Sequence, residues 1–420
     1  MFDDENSEPR GAHFASEEPV EKDDVLPAAA EDEGSDEAPL EGAGDTDVEP
    51  KRGFSLKRIP LAVKVLVVLL VVVAVVVGAG ASWIASLDAT MSVSEEEREE
   101  LNEALATPEP ASTEPFYVLL IGSDARKSDT VSRSDTIMLA RVDIDEGVVS
   151  LVSVPRDTMI YTESGYIDKI NSAYLNGPAA TVRAVSEFAG VDITHYVEVN
   201  FTGVKNVVDA LGGITVDVPE NIDDYKAKLK ISAGEQVLDG ETALKYARAR
   251  YAVTGGDFGR ARAQRQIVEA IAKKVLETSP IDLPRVIVEL AESIETDLFV
   301  SDIISYALTL QQNADGLTVY SATVPSYAYD AGGVSYVATM FDEWRAMMQR
   351  MDAGLNPADE SATIPEEQLA NERLGSAANS ASPRDYEYLA SISGLTSDDV
   401  AMKRAEKPGM STGRPGELIK

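Results

Sequence analysis

Along most of this chain, apolar and polar positions alternate in blocks, and the period changes from block to block. Tyr117–Ile121, Thr136–Val142 and Val148–Val154 are short, β-branched apolar runs of strand length. The last two flank Asp143-Ile144-Asp145-Glu146-Gly147, a turn signal that predicts a hairpin. Helical patterns follow at Pro178–Ala189, ended by Gly190, and at Thr202–Leu211, ended by Gly212-Gly213. Strands are predicted at Tyr196–Phe201 and Ile214–Val218, and helices at Thr242–Ala247, Ala261–Thr278, Leu283–Ile294 and Ser301–Gln311. Leu317–Val324 reads as a final strand and Ser335–Met351 as a final helix. This alternation predicts an α/β domain over residues 116–351, a layered fold with a central mixed β-sheet flanked by helices.

Three other patterns surround it. Val65–Ile84 is a run of 20 residues without a charge, the length a helix needs to cross ~30 Å of hydrocarbon. A transmembrane helix is therefore expected within residues 59–86. Lys51, Arg52, Lys57, Arg58 and Lys64 crowd its N-terminal side, while Asp88 and a Glu-rich run follow. The positive-inside rule then predicts a cell-membrane protein with a single pass, its N-terminus cytoplasmic and its main domain extracellular. Residues 1–58 are expected to be an acidic, disordered cytoplasmic tail and 87–115 an extracellular linker stiffened by Pro108, Pro110 and Pro115. Residues 352–420 lose apolar period and read as a flexible C-terminal tail.

Charge narrows the function classes. The net charge of −35 argues against nucleic acid as a partner. About −16 of it sits in residues 1–50, where 18 Asp and Glu face only Arg10 and Lys22. Cysteine is absent and His13 and His195 are the only histidines, which excludes disulfides, a multi-His zinc site and a His-based triad.

Against that acidic background, basic residues gather at the ends of predicted elements. Asp124 and Arg126 follow Tyr117–Ile121, and Arg133 and Asp135 precede the next strand. Arg156 and Asp157 end the third, Lys169 and Asn171 open a loop-to-helix stretch, and Arg248 and Arg250 end the Thr242 helix. Arg260 opens the Ala261 helix. The first pairs read either as a surface loop with two ion pairs or as a metal-plus-phosphate site, carboxylates for a hard cation and Arg forks for phosphate. Together the clusters suit an anionic ligand. Arg248 and Arg250 face one way only if their helix stops near Ala247. Arg260 and Gln264, four apart, share a face with Ile267 and Ile271, so a polar tip runs into an apolar stripe that would suit a charged head with a greasy tail.

These motifs resemble the LytR-CpsA-Psr (LCP) family over residues 116–351. The resemblance is carried by Leu119-Leu120-Ile121-Gly122-Ser123-Asp124-Ala125-Arg126, Arg133-Ser134-Asp135-Thr136, Val154-Pro155-Arg156-Asp157-Thr158, Lys169-Ile170-Asn171, Gly240-Glu241-Thr242-Ala243-Leu244, Ala247-Arg248-Ala249-Arg250 and Asp257-Phe258-Gly259-Arg260. It implies an extracytoplasmic phosphotransferase that moves a glycopolymer (teichoic acid, capsule or another wall polysaccharide) from a polyprenyl-diphosphate carrier to peptidoglycan. Polyprenyl phosphate would be released. It also implies Mg²⁺ (or Mn²⁺) on Asp124 and Asp135, and the diphosphate on Arg126, Arg156, Lys169, Arg248, Arg250, Arg260 and Gln264. Asp135, Arg156 and Arg250 would be catalytic, and Ile267 and Ile271 would line a lipid pocket. Expected partners are the donor glycan, the peptidoglycan acceptor and the membrane.

At one position the chain departs from the family pattern. Ala263 stands where the family usually has a second Arg, with Gln264 retained; Arg262 and Arg265 point elsewhere round the helix. Two alternative functions stand beside transfer: a lipid-diphosphate hydrolase, in which the same site uses water as acceptor, and a non-catalytic wall-glycan-binding protein, which the Ala263 departure allows. A transcription regulator would need a cytoplasmic DNA-binding module, for which residues 1–58 are too short and too acidic.

Overall fold

The computed structural model of the 420-residue chain describes residues 79–107, 114–123, 134–162, 166–279, 282–312, 316–331 and 333–375. The chain divides into two compact units, 1–66 and 67–420, and every described residue belongs to the second. The acidic tail, most of the expected membrane span, Asp124, Arg126, Arg133 and residues 376–420 lie outside the described residues. Residues 79–91 are helical, and no described helix is long and apolar enough to cross a membrane.

The elements begin with α1 (Glu95–Ala104), β1 (Phe116–Ser123), β2 (Ser134–Asp143), β3 (Val148–Val154), β4 (Met159–Tyr161) and β5 (Ile167–Lys169). A 3₁₀ helix, Ile170–Asn176, leads into α2 (Gly177–Ala189), β6 (Ile193–Asn200) and α3 (Phe201–Ala210). Next come β7 (Ile214–Val218), β8 (Ile222–Asp224), β9 (Leu229–Ile231), β10 (Gly234–Leu238), α4 (Gly240–Arg248) and α5 (Asp257–Glu277). The remainder is α6 (Leu283–Ala291), β11 (Ile294–Thr296), α7 (Val300–Gln311), β12 (Thr318–Thr323), β13 (Ser326–Ala331), β14 (Val334–Thr339), α8 (Phe341–Asp352) and α9 (Glu366–Ala370).

Six strands form one mixed sheet in the order β11-β6-β1-β2-β3-β12. The β1–β2, β2–β3 and β6–β11 pairs are antiparallel; β1–β6 and β3–β12 are parallel. The expected α/β fold with a mixed sheet is therefore what forms, including the β2–β3 hairpin. A parallel β1–β6 pair needs a long crossover, and the segment containing α2 supplies it. On one face, Leu119, Ile121, Ile137 and Val152 pack against Val182 and Phe188 of α2 and Trp344 and Met348 of α8. Each such side chain contributes roughly 1.5–3 kcal/mol of burial. A second core joins α3, α4 and α5 to the small strands β7–β10 through Val208, Ile214, Tyr246 and Ile267.

Three expectations differ from the structure. Residues 335–339 belong to a strand, not to the last helix: Val334–Thr339 pairs antiparallel with Ser326–Ala331 across a turn holding Gly333 at φ +82°. Its β-branched and aromatic alternation is satisfied by a neighbour that sequence periodicity does not reveal. The expected linker 87–115 contributes to the core instead. Leu101 of α1 is fully buried, Leu87 and Met91 pack under α6 and α7, and the Ala106 N–H donates to the Ile193 carbonyl. Residues 353–375 of the expected tail are also packed. Leu374 is 2% exposed, the Gly375 N–H donates to the Ala189 carbonyl at 2.8 Å, and Arg373 pairs with Asp192. Two apolar contacts, Leu374 and Ala358, hold this segment with backbone hydrogen bonds and the Arg373–Asp192 pair, and none of these produces a period in the sequence.

Candidate functional site

The Pro155-Arg156-Asp157-Thr158 turn leaves β3 where the sheet ends, and it is braced from two sides. The Asn171 N–H donates to the Arg156 carbonyl at 3.2 Å, and the Val337 N–H donates to the Asp157 carbonyl at 2.8 Å. The guanidinium of Arg156 reaches the Asp135 carboxylate at the start of β2, and its Nε lies 3.7 Å from Asp157. Lys169, next to Ile170-Asn171, holds the other side of Asp157 at 3.0 Å. Burial pushes the Arg156 pKa down, but Asp135 and Asp157 more than offset this, and the net shift is upward.

The N-terminus of α5 closes the corner. Gly255 and Gly256 take positive φ, 88° and 57°, so the chain turns sharply into a helix that begins at Asp257, earlier than its apolar pattern suggests. Gly259 lets that first turn sit down: a Cβ there would lie 2.5 Å from the Thr254 carbonyl oxygen. Asp257 pairs with Arg260 at 2.8 Å and with Arg250 at 3.6 Å. Burial lowers the Arg260 pKa and nearby Arg156 lowers it further, so a second cation is held beside the first. The cleft walled by Asp135, Arg156, Asp257, Arg260 and Gln264 has room for only about 20 Å³. The cations already neutralise carboxylates, and an incoming anion would take over those contacts.

A nearly wholly apolar cavity of about 260 Å³ continues from it, sharing Thr136 and Gln264 with the charged cleft. Leu120, Met138, Val204, Ile267, Ile271 and Leu290 line it. Ile267 is both core and lining, 2% exposed.

Of the residues singled out in the sequence, Asp135, Arg156, Arg260 and Gln264 line one cleft; Arg250 joins through Asp257 and Lys169 through Asp157. The α4 helix ends at Arg248 and Ala249 is extended, close to the stop that geometry required. Arg248 is exposed at that end and does not appear among the described residues that line the cleft. Gln264 is buried and donates to the Ala247 carbonyl at 3.3 Å, so it ties α5 to α4. Ala263 is core, and Arg262 faces Glu220 at 3.5 Å.

Three residues that had no role assigned from sequence support the corner. Asp257 carries a first-turn signal that favours the helix dipole. Asp224 is 1% exposed and receives the backbone N–H groups of Lys226, Ala227, Arg250 and Tyr251 at 2.8–3.0 Å. Burial alone would raise its pKa; those donors bring it down to about 2. Arg265 is buried at 7% exposure, and burial pushes its pKa down to about 9, which leaves it a cation at neutral pH. It donates to the hydroxyls of Ser321 (2.7 Å), Ser153 (2.8 Å) and Thr323 (2.6 Å), pinning α5 to β3 and β12.

A family model described as the LytR_cpsA_psr family matches residues 82–353. A polyisoprenyl-teichoic acid–peptidoglycan teichoic acid transferase of Enterococcus faecalis is 34% identical over 248 residues, 58% of this chain and 80% of that protein. A protein of the same name from Halalkalibacterium halodurans is 40% identical over 190 residues, 44% of this chain and 62% of that one. The chain thus spans from under two thirds to four fifths of the length of these relatives. A transcriptional regulator of known structure from Enterococcus faecalis is 28% identical with a TM-score of 0.50, covering 66% of this chain and 100% of that one. A Streptococcus agalactiae protein gives a TM-score of 0.52 at 24% identity, covering 67% of this chain and 95% of its own, and supports the fold alone.

Proposed function

Because the chain belongs to the LytR_cpsA_psr family, we propose that it is a membrane-anchored phosphotransferase that joins a wall glycopolymer from a polyprenyl-diphosphate carrier to peptidoglycan. The observation that carries this reading is the continuity of the cation-rich corner with the apolar cavity across Thr136 and Gln264. One ligand with a diphosphate head and a hydrocarbon tail fills both. The transferase names of the two relatives agree with it.

In this reading the diphosphate displaces the carboxylates from Arg156, Arg250 and Arg260. Their charge, with Lys169 behind Asp157, lets a nucleophile approach an otherwise repelling group. The acceptor hydroxyl oxygen forms a bond to the glycan-side phosphorus. The bond from that phosphorus to the bridging oxygen breaks, and its electron pair leaves on polyprenyl phosphate. Asp135 takes the hydroxyl proton and passes it to solvent.

Among the described residues no group of three or more metal-binding side chains converges. Asp135 gives one oxygen to Arg156 and has a second to offer. That donor set fits Mg²⁺ (or Mn²⁺), which is commonly held by one or two carboxylates together with substrate phosphates. Asp135 and Asp124 would hold it, and it would supply further neutralisation of phosphate charge. Membrane anchoring, with the N-terminus cytoplasmic and this domain outside, is supported by the apolar run Val65–Ile84 and the basic residues before it.

The test is an assay of the full chain in detergent with a lipid-diphosphate glycan and a peptidoglycan oligomer. Ligated product is expected. Free phosphate-bearing glycan instead would make the protein a hydrolase, and binding without turnover a wall-glycan-binding protein.

A further inference from the structure

A second polar feature lies beside the corner and takes no part in the roles above. At the ends of the parallel strands β1 and β6 a cavity of about 320 Å³ opens between Glu198, Asn200, Asn206, Glu292, Ser293 and Glu295. Among the described residues its lining contains three carboxylates and no Lys or Arg. Those carboxylates disfavour a second anion, so a neutral or amine-bearing occupant suits the cavity.

Its chemistry is that of a hydroxyl-binding site. Ser293 is 3% exposed and lines the cavity, and its Oγ has no hydrogen-bond partner among the described residues. A buried hydroxyl in that state is unfavourable, and a polar group brought close by a small side-chain rotation would satisfy it. Glu198 is held in place on the neighbouring strand β6: the Tyr196 hydroxyl donates to one carboxylate oxygen at 2.7 Å and the Tyr174 hydroxyl donates to the other. Close approach is built in at Gly203, where a Cβ would lie 2.6 Å from the Ser293 Cβ.

Position links the cavity to the reaction. Ser123 lines it and pairs with Ser134, whose neighbour Asp135 lines the charged cleft. From β6 to β2 is two strand spacings, roughly 10 Å. A sugar chain seated in the cavity spans that distance.

We propose that this cavity is the acceptor subsite, which holds a neutral or amine-bearing, hydroxyl-rich sugar of the acceptor glycan and turns one hydroxyl towards the diphosphate. It rests on the transfer reading above and uses the same balanced step: the sugar oxygen bonds to phosphorus, the bridging P–O bond breaks onto the lipid phosphate, and Asp135 takes the proton. It gives the protein a reason to favour a sugar hydroxyl over water.

The test uses the full chain in detergent, with chitotetraose as the binding probe and the ligation assay for turnover. Thr202→Trp blocks the mouth from an exposed position, and Asn206→Phe fills the wall. Each should weaken chitotetraose binding at least tenfold and raise the acceptor KM at least tenfold, with the donor KM moving less than twofold. Because Thr202 is exposed, its variant stays folded and keeps the test decisive if Asn206→Phe does not. Unchanged sugar binding and acceptor KM in Thr202→Trp would overturn the subsite, as would uptake of Mg²⁺ or Ca²⁺ there in place of sugar. A wild-type chain that binds chitotetraose in a Thr202→Trp-sensitive way but transfers nothing would leave the subsite standing and sink the transfer reading. Normal transfer in both variants would do the reverse.

Discussion

The charged corner and the apolar cavity meet at Thr136 and Gln264, yet they are held in opposite ways. The corner's ion pairs join side chains that are between 13% and 43% exposed, and the cleft they enclose holds about 20 Å³. Pairs of that kind contribute about 0–1 kcal/mol each, so they neutralise one another cheaply and exchange partners readily. The cavity is already open at about 260 Å³ and its walls continue into close-packed core. One half of the candidate site is made to rearrange around an anion, and the other is preformed for a chain. The rigidity the corner does have comes from its backbone and its supports: the Asn171 and Val337 N–H groups on the Arg156-Asp157 turn, Asp224 under the Arg250 backbone, and Arg265 between α5, β3 and β12.

The largest expected effect follows from removing the corner's central cation. Arg156→Ala should lower the rate of transfer by about 10²–10³-fold, the scale for losing a preorganised stabilising group. Its stability should fall by only ~1 kcal/mol or less, because the lost pairs are partly exposed. Single-turnover kinetics and thermal unfolding read the two effects separately. Transfer within threefold of wild type would mean that the corner is a structural ion-pair cluster.

Asp224 should show the reverse, a stability effect first. Asp224→Ala leaves several buried N–H groups unpaired, at about 1–3 kcal/mol for a buried orphan, so roughly 3 kcal/mol is expected in denaturant unfolding. The pH dependence has a definite sign. The folded pKa of about 2 lies below the unfolded value of ~3.9. The contribution is therefore complete above pH ~4 and is lost as pH falls towards 2. Wild type should lose stability over that window more steeply than Asp224→Ala; parallel curves would show that the carboxylate does not stabilise the loop.

The contrast also explains what was legible in the sequence. Arg156, Asp135 and Arg260 sit at the ends of apolar runs, and charge at an element end is visible without coordinates. The apolar stripe at Ile267 and Ile271 was visible because helical period is local. Asp224 and Arg265 were not, because their roles depend on partners 26 and 112 residues away. The β13–β14 hairpin was hidden for the same reason: Val334–Thr339 becomes a strand only because Ser326–Ala331 lies beside it. Residues 353–375 lack apolar period and still pack, since scattered contacts such as Leu374, the Gly375 N–H and the Arg373–Asp192 pair dock them.

A smaller effect is expected in the cavity. Ile271 is half-buried against the second core and lines the apolar space. Ile271→Gln should raise the donor KM about tenfold for a long polyprenyl chain, on the scale of a few methylene contacts. It should change the KM little for a donor with a short, water-soluble chain. Equal effects on both donors would show that this space holds no lipid.

The smallest effect separates direct from relayed charge. Lys169 lies 3.0 Å from Asp157, with side-chain exposures of 24% and 31%, and its Nζ sits 5.9 Å from the centre of the Tyr336 ring. It offsets Asp157, which would otherwise draw Arg156 away from an incoming phosphate. Lys169→Met should therefore raise the donor KM only two- to threefold, an order-of-magnitude expectation for a partly exposed pair. Because solvent screens that pair, the difference from wild type should shrink at ~0.5 M salt, while the Arg156→Ala defect persists. A Lys169→Met loss as large as that of Arg156→Ala, and insensitive to salt, would mean that Lys169 touches the diphosphate itself, and the corner would then extend beyond the cleft to the start of the 3₁₀ helix.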